Sequence, residues 1–260
     1  MLLLFFLICF FASALGGICG IGGGIIIKPL LDAFGVLDAS AISFLSGCTV
    51  LSMTTYSVLK SRFGGKSHVD HKISFPLAVG AAAGGIAGKN MMTAVLGLFG
   101  DERKLGLIQA VCMLVVTVFT LVYTVRKERV KTLNIRNFAA CVLLGFVLGM
   151  LSSFLGIGGG PLNLVVLFYF FSMPTKSAAE NSLYIIFFSQ CTNLVTGLVS
   201  GNIPDFDITV LCVMILGGIL GGIAGRFLNG RLKEKTVDRL FILVMAMMIL
   251  ISVYNILKFA

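Results

Sequence analysis

Apolar stretches run through residues 135–154, 178–199 and 236–256, each with at most a few charges, mostly at its ends. About 20 such residues reach across the hydrocarbon core of a bilayer. Inside that core every backbone N–H and C=O must find a partner within the protein, and a helix meets this demand within one segment. The stretches therefore read as spanning helices, and the predicted fold class is all-α, a polytopic transmembrane helical bundle. Composition agrees: 58% of the 260 residues are hydrophobic and 12% charged, about half the charged fraction of soluble domains. A water-soluble fold is excluded, and the lipid bilayer is the first expected partner.

The net charge of +9 would suggest nucleic acid as a partner of a soluble protein. Here the bases sit in short loops between apolar segments, where they orient the chain in the membrane, and nucleic-acid binding is not expected. Seven cysteines lie inside apolar segments without a CxxC pair, which supports neither a disulfide framework nor zinc. His68 and His71 stand in a basic loop with Asp70 and read as incidental, so no metal and no cofactor is expected. The opening segment, Leu2–Phe11 followed by Ala12-Ser13-Ala14, resembles the apolar region and cleavage site of a secretory signal. No base precedes it, and it has a counterpart in mid-chain, so it reads as part of the fold.

That counterpart belongs to an internal repeat. Gly20-Ile21-Gly22-Gly23-Gly24 recurs in the second half as Gly156-Ile157-Gly158-Gly159-Gly160, and Gly84-Gly85-Ile86-Ala87-Gly88-Lys89 recurs as Gly221-Gly222-Ile223-Ala224-Gly225-Arg226, with the register held to a single position. Two matches so closely in step mark tandem copies of one helical unit. The expected organisation is a first transmembrane repeat over 1–125, a basic cytoplasmic linker over 126–136 and a second repeat over 137–260. Each copy has an apolar segment broken by the glycine run (1–34; 137–173), then three further apolar segments (38–59, 73–98 and 104–125; 178–200, 207–228 and 236–257).

Charge gives the expected direction of each copy. Lys60, Arg62, Lys66 and Lys72 mark one cytoplasmic loop, the linker a second, and Arg226, Arg231, Lys233, Lys235 and Arg239 a third. The repeat partner of the first basic loop, 201–207, is acidic, so the two halves are expected to face opposite ways. If each glycine-broken segment is a re-entrant or V-shaped hairpin returning to its own side, three further crossings leave the second repeat inverted. Both termini then lie outside the cytoplasm of a multi-pass cell (inner) membrane protein.

A glycine run is tolerated in hydrocarbon only where protein or a water-lined cavity satisfies its backbone. The freed N–H groups at the start of the following half-helix form a positive dipole end suited to an anion, and paired broken helices are where inverted-repeat transporters hold substrate. The candidate substrate-binding residues are accordingly Gly22, Gly23, Gly24, Gly158, Gly159 and Gly160, with the nearby polar residues Ser43, Ser46, Thr49, Asn163, Asn181, Ser182, Gln190 and Asn193. Ser43 and Asn181 align with each other when the two copies are overlaid. Lys28, just past the first run, either adds positive charge to that site or snorkels to the interface. Gly80, Gly84 and Gly88, like Gly217, Gly221 and Gly225, follow the small-xxx-small spacing of close helix contact. Lys89 and Arg226 read as snorkelling bases beyond them. No Asp or Glu stands near the centre of a segment, the innermost being Glu180, which disfavours a carboxylate proton relay. No catalytic residues are expected, because no carboxylate pair, metal cluster or nucleophile–base motif is visible.

At the two glycine runs, with Pro29 after the first and Pro161 directly after the second, the chain resembles the sulfite exporter TauE/SafE family of membrane permeases over nearly its whole length. The resemblance implies transport of sulfite, sulfoacetate or other small sulfur-containing or organic anions. The differing proline positions imply hairpins of different shape. The expected function is a secondary permease or exporter of small anions that binds them near the midplane. A passive anion channel and a non-transporting membrane scaffold subunit stand as alternatives, and a homo-oligomer is left open.

Overall fold

A computed structural model describes residues 1–63, 68–201 and 203–259. Lys66, assigned above to a cytoplasmic loop, lies outside the described residues. Among those residues the regular structure is all helix, without a strand. Ten α-helices follow in order: α1 (Leu2–Cys19), α2 (Gly24–Phe34), α3 (Ala39–Phe63), α4 (His71–Phe99), α5 (Glu102–Arg126), α6 (Phe138–Leu155), α7 (Gly160–Phe171), α8 (Thr175–Val199), α9 (Ile208–Arg231) and α10 (Glu234–Phe259). Among the described residues, seven helices are long and apolar enough to cross a membrane: α1, α3, α5, α6, α8, α9 and α10. At 29 residues α4 is the longest helix, but its glycines and alanines and the central Lys89 dilute its hydropathy.

Both glycine runs break their helices. α1 ends on Gly20 in the left-handed conformation, and Gly22 and Gly23 have φ of +76° and +74° before α2 begins. α6 likewise ends on Gly156, with Gly158 and Gly159 at φ of +77° and +99° before α7. A side chain at these six positive-φ positions would be strained, which is why glycine stands at each. α2 and α7 have 11 and 12 residues, too short to cross a bilayer at about 1.5 Å per residue. The prolines differ as the sequence suggested. Pro161 stands in the first turn of α7, whereas Pro29 lies inside α2, where it leaves a carbonyl one turn earlier without its helical N–H partner.

The glycine stripes hold the two halves together. A methyl group on Gly80, Gly84 or Gly88 of α4 would collide with the carbonyls of Val142, Phe146 or Met150 on α6, and one on Gly217, Gly221 or Gly225 of α9 with those of Phe6, Phe10 or Ala14 on α1. Each carbonyl of the first set is the repeat counterpart of one in the second, in the same register as the glycine runs. Thus α4 of the first half packs on α6 of the second and α9 on α1, while α3 meets α9 and α8 meets α4. The contacts are preserved when the halves are exchanged, so each half completes the other. The linker after α5 joins in through backbone bonds from Leu133 and Ile135 to Tyr169 and Phe170 at the end of α7.

Candidate substrate site

The two breaks meet at the centre of this arrangement. A methyl on Gly24 would strike the carbonyl of Ile157, and one on Gly160 would strike the carbonyl of Ile21. The start of each short helix therefore abuts the opposite break, bringing two positive helix ends together. Val50 of α3 wedges between the breaks, 3.3 Å and 3.1 Å from Cβ positions built on Gly22 and Gly158. Ile186, its repeat counterpart on α8, covers Gly22.

Beside this crossing lies a cavity of about 310 Å³ between α3, α4, the end of α6, α8 and residues 203–204. Its polar wall is made of Ser40, Ser43, Thr93, Ser152, Ser153, Gln190 and Asn193, and its one charged residue among those described is Lys89. Phe44, Met92, Leu96, Leu194 and Ile203 line the rest. Ser153 donates to the Asn193 Oδ1 at 2.6 Å, which orients that amide. The buried Ser152 hydroxyl has no partner among the described residues and stands 3.1 Å from a Cβ placed on Gly159. The other wall hydroxyls already donate within the protein, but the Ser152 hydroxyl, the Gln190 and Asn193 amide N–H groups and the Lys89 ammonium can donate hydrogen bonds to a small anion.

Of the candidates named from sequence, Ser43, Gln190 and Asn193 line this cavity. Gly22, Gly23, Gly24, Gly158, Gly159 and Gly160 form the crossing next to it, and the cavity reaches the second break at Gly156. Ser46, Thr49, Asn163 and Ser182 are buried outside its lining. The Thr49 hydroxyl donates to the Leu45 carbonyl, whereas those of Ser46 and Ser182 have no partner among the described residues. Contacts also reassign one repeat pair. Gly20 rests on Ala179 as Gly156 rests on Ser43, so Ser43 answers to Ala179 rather than Asn181.

Asn181 has a different task. Its Oδ1 accepts from the Asp70 N–H at 2.9 Å and from the Ser74 hydroxyl, and its Nδ2 donates to the carbonyls of His68 and Ser177. It ties the start of α4 to α8. Asn181→Ala should therefore lower stability by about 2 kcal/mol, the penalty of stranding buried partners, and leave anion affinity unchanged. Thermal unfolding of the purified variant beside its concentration dependence of flux checks both.

Three charged residues depart from expectation. Lys89, read as a snorkelling base, is half-buried in the cavity wall; its place at the end of the repeated motif was the available signal, but the motif alone does not show what α4 faces. Arg226, its repeat counterpart, points inward too, donating to the Ser57 carbonyl at 2.7 Å and standing 3.9 Å from Glu180. Glu180 also accepts from the His68 N–H at 3.1 Å. A charged network thus fills the region related by repeat to the open cavity. Finally, Lys28 neither snorkels nor reaches the cavity lining. It is 2% exposed and pairs at 3.2 Å with Asp32, itself 7% exposed. Asp32 is thus a buried carboxylate overlooked because it stands near the end of its apolar segment.

A multi-pass helical membrane protein with a polar, singly charged cavity beside two crossed helix breaks is built as a transporter is built. The family model for the sulfite exporter TauE/SafE matches residues 5–252, and the chain belongs to this family of membrane transporters. Among curated relatives it is similar to the probable membrane transporter proteins YunE and YjnA of Bacillus subtilis (strain 168). It is 23% identical to YunE, over 87% of this chain and 88% of that protein, and 25% identical to YjnA, over 93% and 94%. A probable membrane transporter protein of Xylella fastidiosa (strain 9a5c) is 26% identical over 86% of this chain and 84% of its own. No solved structure matches the chain significantly.

Proposed function

We propose that the protein is a secondary transporter of small anions, sulfur-containing or organic ones such as sulfite or sulfoacetate, bound in the 310 Å³ cavity beside the two breaks. The observation that carries this reading is Lys89, the one cation among the described residues of the cavity wall, beside the Ser152 hydroxyl and the amides of Gln190 and Asn193. Such an enclosure rewards one negative charge, because ammonium and anion attract more strongly away from water. The glycine breaks support the site from behind, supplying helix ends of positive potential.

In this reading the halves are inverted repeats in the inner membrane, with both termini extracytoplasmic, and they rock around the central crossing. One vestibule is the cavity, with Ser40, Phe44 and Pro204 in its lining. Its repeat counterpart is closed by Glu180, Arg226 and His68, and rocking exchanges the two conditions.

Purified protein in liposomes should move labelled sulfite, sulfoacetate or thiosulfate faster than empty liposomes, with saturation and with counterflow against a trapped unlabelled pool. Flux no faster than the blank for every anion would sink the proposal. Flux without saturation or counterflow would identify a passive channel instead.

A further inference from the structure

The buried pair Lys28–Asp32 is unused by the cavity, yet it adjoins it. The Lys28 stem runs beside Gly156, its Cδ 3.3 Å from a Cβ placed there, and Gly156 lines the cavity. The ammonium itself turns the other way, to Asp32 Oδ2. There a second space of about 10 Å³, bordered by Lys28, Asp32, Gln109, Ser252 and Asn255, holds roughly one water at most.

The polar atoms around that space are incompletely used. Gln109 donates to the Phe154 carbonyl at 2.7 Å and Asn255 to the Pro29 carbonyl at 2.9 Å. Among the described residues their oxygens, Gln109 Oε1 and Asn255 Oδ1, have no partner, and neither do Asp32 Oδ1 and Ser252 Oγ. An ionised carboxylate only accepts hydrogen bonds, and idle acceptors beside it add nothing. A protonated carboxyl must donate one, and Gln109 and Asn255, which border the same small space, each keep an amide oxygen free to accept it. The site is furnished for the neutral form of Asp32 as well as for the charged one.

Few other charges bear on Asp32. On its own helix there is Lys28, and on α10 Lys258 donates to the backbone carbonyls of Asp32 and Ala33. α1 and α7 carry no charged residue. Glu102 and Arg103 of α5 are engaged with Ser40 and with the end of α10, and the bases of α3, Lys60 and Arg62, stand in its last turn.

Charge balance then links the two spaces. While Asp32 is ionised Lys28 is neutralised and offers nothing to an anion, and burying an uncompensated negative charge is costly. We infer that Asp32 is the proton-coupling site of the transporter. As an anion enters the cavity, the carboxylate takes one proton from water and becomes a neutral acid, and Lys28 leaves it to face the anion past Gly156. One proton enters with each anion, so the buried net charge is unchanged for a monovalent anion, and for a dianion such as sulfoacetate the proton offsets one of its two charges. Release on the far side reverses both steps, which makes the protein an anion–proton symporter. The inference rests on the transport reading above.

The test uses liposomes containing the full chain and a trapped pH dye, with sulfoacetate, which stays fully ionised near neutral pH. Sulfoacetate influx should acidify the lumen, and an inward proton gradient should drive its accumulation. Asp32→Asn should lose gradient-driven accumulation down to the level of empty liposomes, while one-for-one exchange of labelled for unlabelled sulfoacetate persists, because exchange needs no net proton movement. Wild-type flux without lumen acidification would overturn the inference, as would an Asp32→Asn protein that still concentrates the anion. The wild-type measurement decides even if the variant does not fold. Absence of any wild-type anion flux would be a different result, the failure of the transport reading itself.

Discussion

Alanine at Gly24 or at Gly160 should each destabilise the protein by roughly 3 kcal/mol, the upper part of the usual cost of overpacking. The reason is what the new methyl meets: the carbonyl of Ile157 in one case and of Ile21 in the other. Both are backbone atoms of the opposing break, held between positive-φ glycines, so neither can rotate away as a side-chain tip would. Relief requires the two breaks to separate, and separation undoes the crossing on which both halves converge. Gly97 is the control, since a methyl there meets nothing within 4 Å and alanine favours a helix over glycine. The measurement is the melting temperature of each purified variant in detergent. A Gly24→Ala protein as stable as Gly97→Ala would mean that the two breaks do not touch.

The reading of the glycines shows what a single sequence carries well. Repetition at one spacing identified both helix breaks and both contact stripes, because backbone proximity has a composition of its own: glycine alone readily takes a positive φ or admits a carbonyl where a Cβ would be. The limits of the helices were legible for a similar reason, apolar runs ending at charged or glycine-rich turns. The lining of the cavity was harder to read. Ser43, Gln190 and Asn193 face it while Ser46, Thr49 and Ser182 do not, although all six are small polar residues on the same two helices. Which side of α3 or α8 faces open space depends on where α4, α6 and the segment near Pro204 lie, and no periodicity within α3 or α8 records that. Asn181 misled for a related reason. Its four hydrogen bonds reach mostly into the residues before and within the first turn of α4, in the other half of the chain. Asp32 was hidden by a rule of thumb about segment centres; its neighbours Ser252 and Asn255 come from the far end of the sequence.

Replacing Lys89 by methionine should raise the apparent KM for anion at least about tenfold, given that a hydrogen bond to a charged group contributes about 1.5–3 kcal/mol and about 1.4 kcal/mol is one power of ten. Lys89 is the one charge among the described residues of the cavity wall, so its loss removes the main electrostatic reason for a negative solute to leave water. Methionine keeps the length and much of the volume of the stem, so the melting temperature should hold. That separates a binding defect from a folding defect. Lys89→Arg should keep affinity near wild type, since arginine preserves the charge and stands at the corresponding place of the other half as Arg226. The concentration dependence of labelled sulfoacetate influx into liposomes reads all three proteins. If Lys89→Met transports with wild-type KM, the positive charge in the wall is incidental, and anion selectivity must come from the helix ends at the two breaks and from Lys28.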